Sequence, residues 1–196
     1  SRPVAAGVGV PSHPDFPGGL ATPRAFTRGL GGDWGLAYKD RLFGVPMISL
    51  SDPDWAVEEV EWAIRQGAKV ISMRNGPVYT PTGTTSPGAP EYDRFWARCE
   101  DANLIVAPHA GNDGYEFIGN MWEPGGYGAF SVSPLHKVVT SQRAVPDFFA
   151  ALVCHKVFER FPRLRVASVE NGAIWVKPLL TRLFRGHAQT KGYYKT

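Results

Sequence analysis

Cysteine is scarce, with only Cys99 and Cys154 in 196 residues. Two thiols cannot build the dense disulfide framework of a small secreted domain. Both lie in apolar, helix-periodic stretches, so both read as buried free thiols in a reducing compartment. Long apolar runs are missing too. No segment approaches the roughly 18 consecutive apolar residues that a membrane-spanning helix needs, and no signal peptide opens the sequence. Concentrated charge is also lacking. The formal net charge is +3, and the one basic cluster, Arg160, Arg163 and Arg165, reads as the exposed end of a helix and its following turn. Nucleic-acid binding requires a concentrated basic face, so that class is excluded. No Gly-x-Gly-x-x-Gly follows any strand, which removes support for a dinucleotide-binding module. What remains is a cytoplasmic globular domain. Its 43% hydrophobic content against 20% charged is enough to fill a core.

The chain has a rhythm. Residues 1–32 form an N-terminal arm or loop, rich in glycine and proline from Gly7 to Gly19. The apolar run 45–50 is expected as a strand buried on both faces. Ser51-Asp52-Pro53-Asp54 supplies capping residues and an early proline for a helix over 55–66, which Gly67 stops. A strand follows at 69–73. Residues 76–90 read as a Pro/Gly/Thr loop, leading to a helix at 91–102 and a strand at 104–107. A long loop, 111–145, separates these from a helix at 146–161, a strand at 164–169 and a last helix at 173–185. The tail is 186–196. Four strands alternating with helices predict a parallel sheet with right-handed crossovers, either an open sheet or a barrel.

In such folds chemistry gathers at the carboxyl ends of the strands. Those ends are Arg74, His109 and Glu170. An imidazole and a carboxylate on neighbouring strands lie about 5 Å apart at the backbone, suited to sharing a divalent metal or forming an acid/base pair. Arg74 has the planar fork that binds a substrate carboxylate. Each residue also has a plain structural reading. His109 can be a hydrogen-bonded packing residue, Glu170 can cap the next helix, and Arg74 can pair with Asp113 or Glu116. Asn171, beside Glu170, is a candidate substrate contact. The long loop carries Tyr115, Phe117, Trp122, Tyr127 and Phe130, and reads as a lid or as a satellite packing cluster. Trp122 is its candidate substrate contact. His136 reads as a surface or hinge position, and His155 as structural.

Several runs resemble one family. Asp33-Trp34-Gly35-Leu36-Ala37-Tyr38-Lys39-Asp40-Arg41-Leu42-Phe43, Ser49-Leu50-Ser51-Asp52-Pro53 and Met73-Arg74-Asn75-Gly76-Pro77 are similar to the amidohydrolase-related (amidohydrolase 2) proteins. So are the Arg160-Phe161-Pro162 helix end and Ser168-Val169-Glu170-Asn171-Gly172. These proteins resemble aminocarboxymuconate-semialdehyde decarboxylase. The resemblance spans 33–185 and implies a partial TIM-like (β/α)8 metal-dependent hydrolase barrel, of which this chain supplies strands three to six.

The resemblance further implies one divalent metal, zinc first and manganese second. His109 falls where the family places its strand-five histidine ligand. Glu170 stands where decarboxylase-like relatives carry a second, catalytic histidine, so Glu-Asn-Gly replaces His-Gly-Gly. The family's strand-one motif and strand-eight aspartate have no counterpart in the sequence, although Gly7-Val8-Gly9-Val10 looks like the end of strand two. The implied activity is hydrolysis or non-oxidative decarboxylation of a small carboxylate-bearing substrate, aromatic rings included. The alternative is a catalytically incomplete barrel fragment with a structural or oligomerising role. A half-barrel exposes sheet edges, which predicts a homo-oligomer or association with the missing barrel segments.

Overall fold

The structure is a computed structural model, describing residues 37–38, 41–111, 114–128 and 131–190. The N-terminal arm, the strand-two reading at 7–10, most of the 33–43 run, Asp113, Phe130 and the last tail residues lie outside the described residues.

A small antiparallel pair, β1 (Ala37–Tyr38) and β2 (Leu42–Phe43), leads in. The central sheet is parallel, β3 (Val70–Arg74), β6 (Ile105–His109) and β9 (Arg165–Val166) lying side by side in that order. The strand predicted at 45–50 flanks β3 as a single parallel bridge, Met47 to Ser72. There Ile48 N donates to Ser72 O at 2.8 Å and Ser72 N to Pro46 O at 2.8 Å. Pro46 has no N–H of its own to extend the ladder, which keeps this strand short. Residues 45–50 are not covered on both faces as expected. Ile48 and Leu50 are buried, whereas Val45 and Met47 are exposed on the other side.

The same alternation organises β3 and β6. Ile71, Met73 and Val106 point into the helix-covered core, while Ser72 and Ala107 lie on the opposite face with Arg74 and His109. The core is closed by α1 (Pro53–Arg65), α2 (Asp93–Asp101), α5 (Ala144–Cys154) and α6 (Val157–Arg160). Asp52 Oδ1 caps α1 by accepting from Trp55 N at 3.0 Å, and Pro53 begins it. From α2, the fully buried Phe95 and Trp96 meet edge to face, with centroids 4.9 Å apart. Burial of a side chain such as Phe95 contributes about 1.5–3 kcal/mol. Trp96 Nε1 donates to Pro87 O at 2.9 Å, so its polar atom is also satisfied. Arg98 of α2 grips Glu61 of α1 and holds that carboxyl below its ordinary range.

Four expectations need correction. Residues 76–90 hold a hairpin, β4 (Val78–Thr80) with β5 (Gly83–Thr85), then a 3-10 turn, Pro90–Tyr92. Residues 111–145 are not structureless. They contain α3 (Glu116–Trp122), the pair β7 (Tyr127–Gly128) and β8 (Ser131–Val132), and α4 (Pro134–Thr140). The helix expected over 146–161 breaks between α5 and α6, where Lys156 takes a left-handed φ of 57°. That break puts Val157 at full burial. Cys99 is buried as expected, but Cys154 is exposed because it lies in the last turn of α5 before the break.

Two of the three arginines of the basic cluster have carboxylate partners, and the third has a backbone one. Arg160 pairs with Asp93 and donates to Gly88 O at 2.8 Å, Arg163 lies 3.6 Å from Glu100, and Arg165 donates to Asn103 O. The described part of the chain ends in α7 (Val176–Gln189). No helix among the described residues is long and apolar enough to cross a membrane.

Candidate active site at the strand ends

Arg74 and His109 are register partners at the ends of β3 and β6, on one face of the sheet. An isolated parallel bridge from His109 to Val169 extends β9 to the same level and delivers Glu170 beside the imidazole. Glu170 has a left-handed φ of 58°, a conformation that L-residues with a Cβ rarely adopt. Its Oε1 lies 3.8 Å from His109 Nε2. On its other side the ring is anchored, since His109 Nδ1 sits 2.5 Å from Ala110 O. A proton on Nδ1 satisfies that carbonyl and leaves the Nε2 lone pair facing the carboxylate.

Two electron-pair donors facing each other at 3.8 Å call for a cation or a proton between them. One divalent ion, with bonds of about 2.0–2.2 Å to nitrogen and oxygen, can reach both. His109 and Glu170 therefore fit part of a metal's donor set. A catalytic zinc takes about three protein ligands. Among the described residues no group of three or more His, Cys, Asp or Glu side chains is placed to hold a metal.

Beneath these groups lies a buried amide network. Asn75 Nδ2 donates to Asn171 Oδ1 at 2.9 Å, and Asn171 Nδ2 donates to Val169 O at 2.7 Å and reaches Pro108 O at 3.3 Å. This ties the ends of β3, β6 and β9 together. Asn171 thus has a structural duty while also lining the adjoining cavity. That cavity, about 600 Å³, is bounded by residues including Asn75, Glu116, His136, Lys137, Gln142 and Glu170. Gln142 is a second wall residue with left-handed φ, 54°. Ala110 and Gly111, next to His109, are on the wall, while His109 itself is not.

Arg74 is directed elsewhere. Its guanidinium donates to Pro77 O and lies 4.1 Å from the centre of the Tyr79 ring, and it is not part of the cavity wall. The missed β4–β5 hairpin supplies that ring. Trp122, at the end of α3, is 69% exposed and is also off the wall. Just before α3, Tyr115 Oη donates to Asp147 Oδ2 of α5 at 3.0 Å.

His136 is the residue that sequence reasoning missed. It is fully buried in α4 rather than at the surface, and it lines the cavity. Its ring occupies the space over Gly119 of α3, where an added Cβ would come within 2.2 Å of Nε2. The available signal was Ser133-Pro134. Ser133 Oγ accepts from His136 N at 3.1 Å, an N-cap with proline at the first helical position. His155, by contrast, is exposed at the end of α5, with its Cβ against Gly88.

A parallel sheet covered by helices on one face, with polar residues gathered at its carboxyl end, is the arrangement that a segment of a (β/α) barrel presents. The Amidohydrolase family profile matches residues 22–191. The chain belongs to that family. It is similar to a crystal structure of an amidohydrolase from Mycobacterium avium subsp. paratuberculosis K-10, with 35% identity and a TM-score of 0.79 over 88% of this chain and 43% of that one. It also shares its fold with 2,6-dihydroxybenzoate decarboxylase in complex with 2,6-dihydroxybenzoate, at 19% identity, TM-score 0.58, 88% of this chain and 51% of that one. The same enzyme from Rhizobium gives 21% identity and a TM-score of 0.53 over 80% of this chain and 46% of that one. The chain thus spans about half the length of these structures, and its fold is a partial barrel.

Proposed function

We propose that this chain carries the metal-binding middle of an amidohydrolase that hydrolyses or non-oxidatively decarboxylates a small carboxylate-bearing substrate, aromatic acids among them. The observation that carries the reading is the 3.8 Å approach of His109 Nε2 to Glu170 Oε1 beside the cavity. His109 would hold the metal, zinc first or manganese second, with Ala110 O fixing its tautomer. The bound ion supplies Lewis acidity toward the substrate. Glu170 moves the proton, as general base and then general acid. Asn171 positions Glu170 through the amide network.

A second reading is supported by the donor count. Two converging donors among the described residues are fewer than a catalytic zinc takes, and on that count the chain would be a catalytically incomplete unit that associates with a second copy or with further barrel segments.

Metal content of chain purified without chelators separates the two. The catalytic reading expects near-stoichiometric zinc or manganese, lost in His109→Ala. It also expects turnover reduced at least 100-fold in Glu170→Gln with the metal retained, the scale of a lost general acid/base. Metal-free protein points to the incomplete unit.

A further inference from the structure

We propose that Lys137, rather than Arg74, is the residue that receives the substrate's carboxylate. The inference rests on the reading of a carboxylate-bearing substrate given above. The cavity wall carries two carboxylates, Glu116 and Glu170, which repel an anionic ligand unless a cation offsets them. Lys137 is the one lysine or arginine on that wall. It is exposed, and it forms no ion pair with any described residue, so its charge is available. Arg74 is already committed to Pro77 O and to the face of Tyr79. Moving it to the cavity would forfeit both contacts.

The backbone beneath Lys137 is well held. Lys137 N donates to Ser133 O at 3.0 Å, Ser133 caps α4, and the neighbouring His136 is fully buried against Gly119. The ammonium therefore projects from a fixed helix, and as a compact point charge it accepts carboxylates of varied tilt. Such a site selects for a negative charge more than for a planar shape.

The probes are benzoate and its neutral counterpart benzamide, titrated into the 196-residue chain and followed by ligand-observed NMR. Wild type is expected to prefer benzoate at least tenfold. Lys137→Met should abolish that preference, Lys137→Arg should retain most of it, and Arg74→Met should leave it unchanged. Loss of the preference in Arg74→Met, its persistence in Lys137→Met, or no preference in wild type overturns the assignment. Metal content and turnover are read separately. A chain that is inert yet binds benzoate through Lys137 defeats the catalytic reading alone.

Discussion

Burial inside α2 pushes the Cys99 thiol from its ordinary 9.0 up to about 12, because the thiolate would lose its hydration in an apolar core. The unfolded chain gives up this proton near 9, whereas the folded chain keeps it. Between these values the native state binds more protons, so stability is fully present below pH 9 and falls as pH rises toward 12. Cys154 is exposed and meets solvent directly. At pH 8, iodoacetamide should therefore alkylate one thiol per chain, Cys154, with Cys99 joining only in denaturant. Intact-mass and peptide analysis would check both halves. Composition alone could not separate these two residues, since each lies in an apolar helical stretch and the break at Lys156 has no glycine or proline to mark it.

Among the elements, α3 and α4 form one wall of the cavity and meet at Gly119 and His136. Alanine at 119 would gain about 1 kcal/mol of helix propensity over glycine. Its Cβ, however, would sit 2.2–2.3 Å from three atoms of a ring with no exposed surface into which to retreat. Overpacking of this kind costs about 1–3 kcal/mol and outweighs the propensity gain. Gly119→Ala should lower the urea midpoint, and His136→Ala in the same chain should recover part of the loss. These two helices also show where sequence reasoning ran out. In α4, His136 is inside while Leu135 and Val138 are 45% and 75% exposed, the reverse of the usual amphipathic pattern. In α3, a mid-helix glycine reads as loop, though it is the residue that makes room for the imidazole. The β4–β5 hairpin went unread for a similar reason, because proline and glycine bracket the turn and mask the β-branched Val78, Thr80, Thr84 and Thr85. The three parallel strands were legible as short apolar runs alternating with helices, and the run at 45–50 adds a single bridge. Their ends located Arg74, His109 and Glu170. Where Arg74 points was not legible, since that depends on a tyrosine from a hairpin not foreseen.

At the scale of the whole molecule, α7 buries Leu179 but turns Val176, Leu180 and Phe184 outward, at 38%, 51% and 77% exposure. Spaced four residues apart, they form one apolar stripe on one helix face. The chain covers 43% and 51% of two structures that it resembles. An uncovered stripe of this kind should drive self-association of the 21.4 kDa chain. Light scattering should give a mass above that of one chain, and Leu180→Lys with Phe184→Lys should shift it toward a single copy. An unchanged mass would place the contact on a different surface.

The left-handed backbone at Glu170 bears on how this chain would respond to selection. Holding a residue with a Cβ in that conformation costs about 1–2 kcal/mol, which glycine would not incur. A library at this position screened for heat resistance alone would therefore enrich glycine and discard the carboxylate. Under the proton-transfer role proposed for Glu170, one screened for turnover would keep glutamate and accept the weaker fold. The two searches would then diverge at this codon, and a stabilised variant carrying glycine there would be robust and chemically silent.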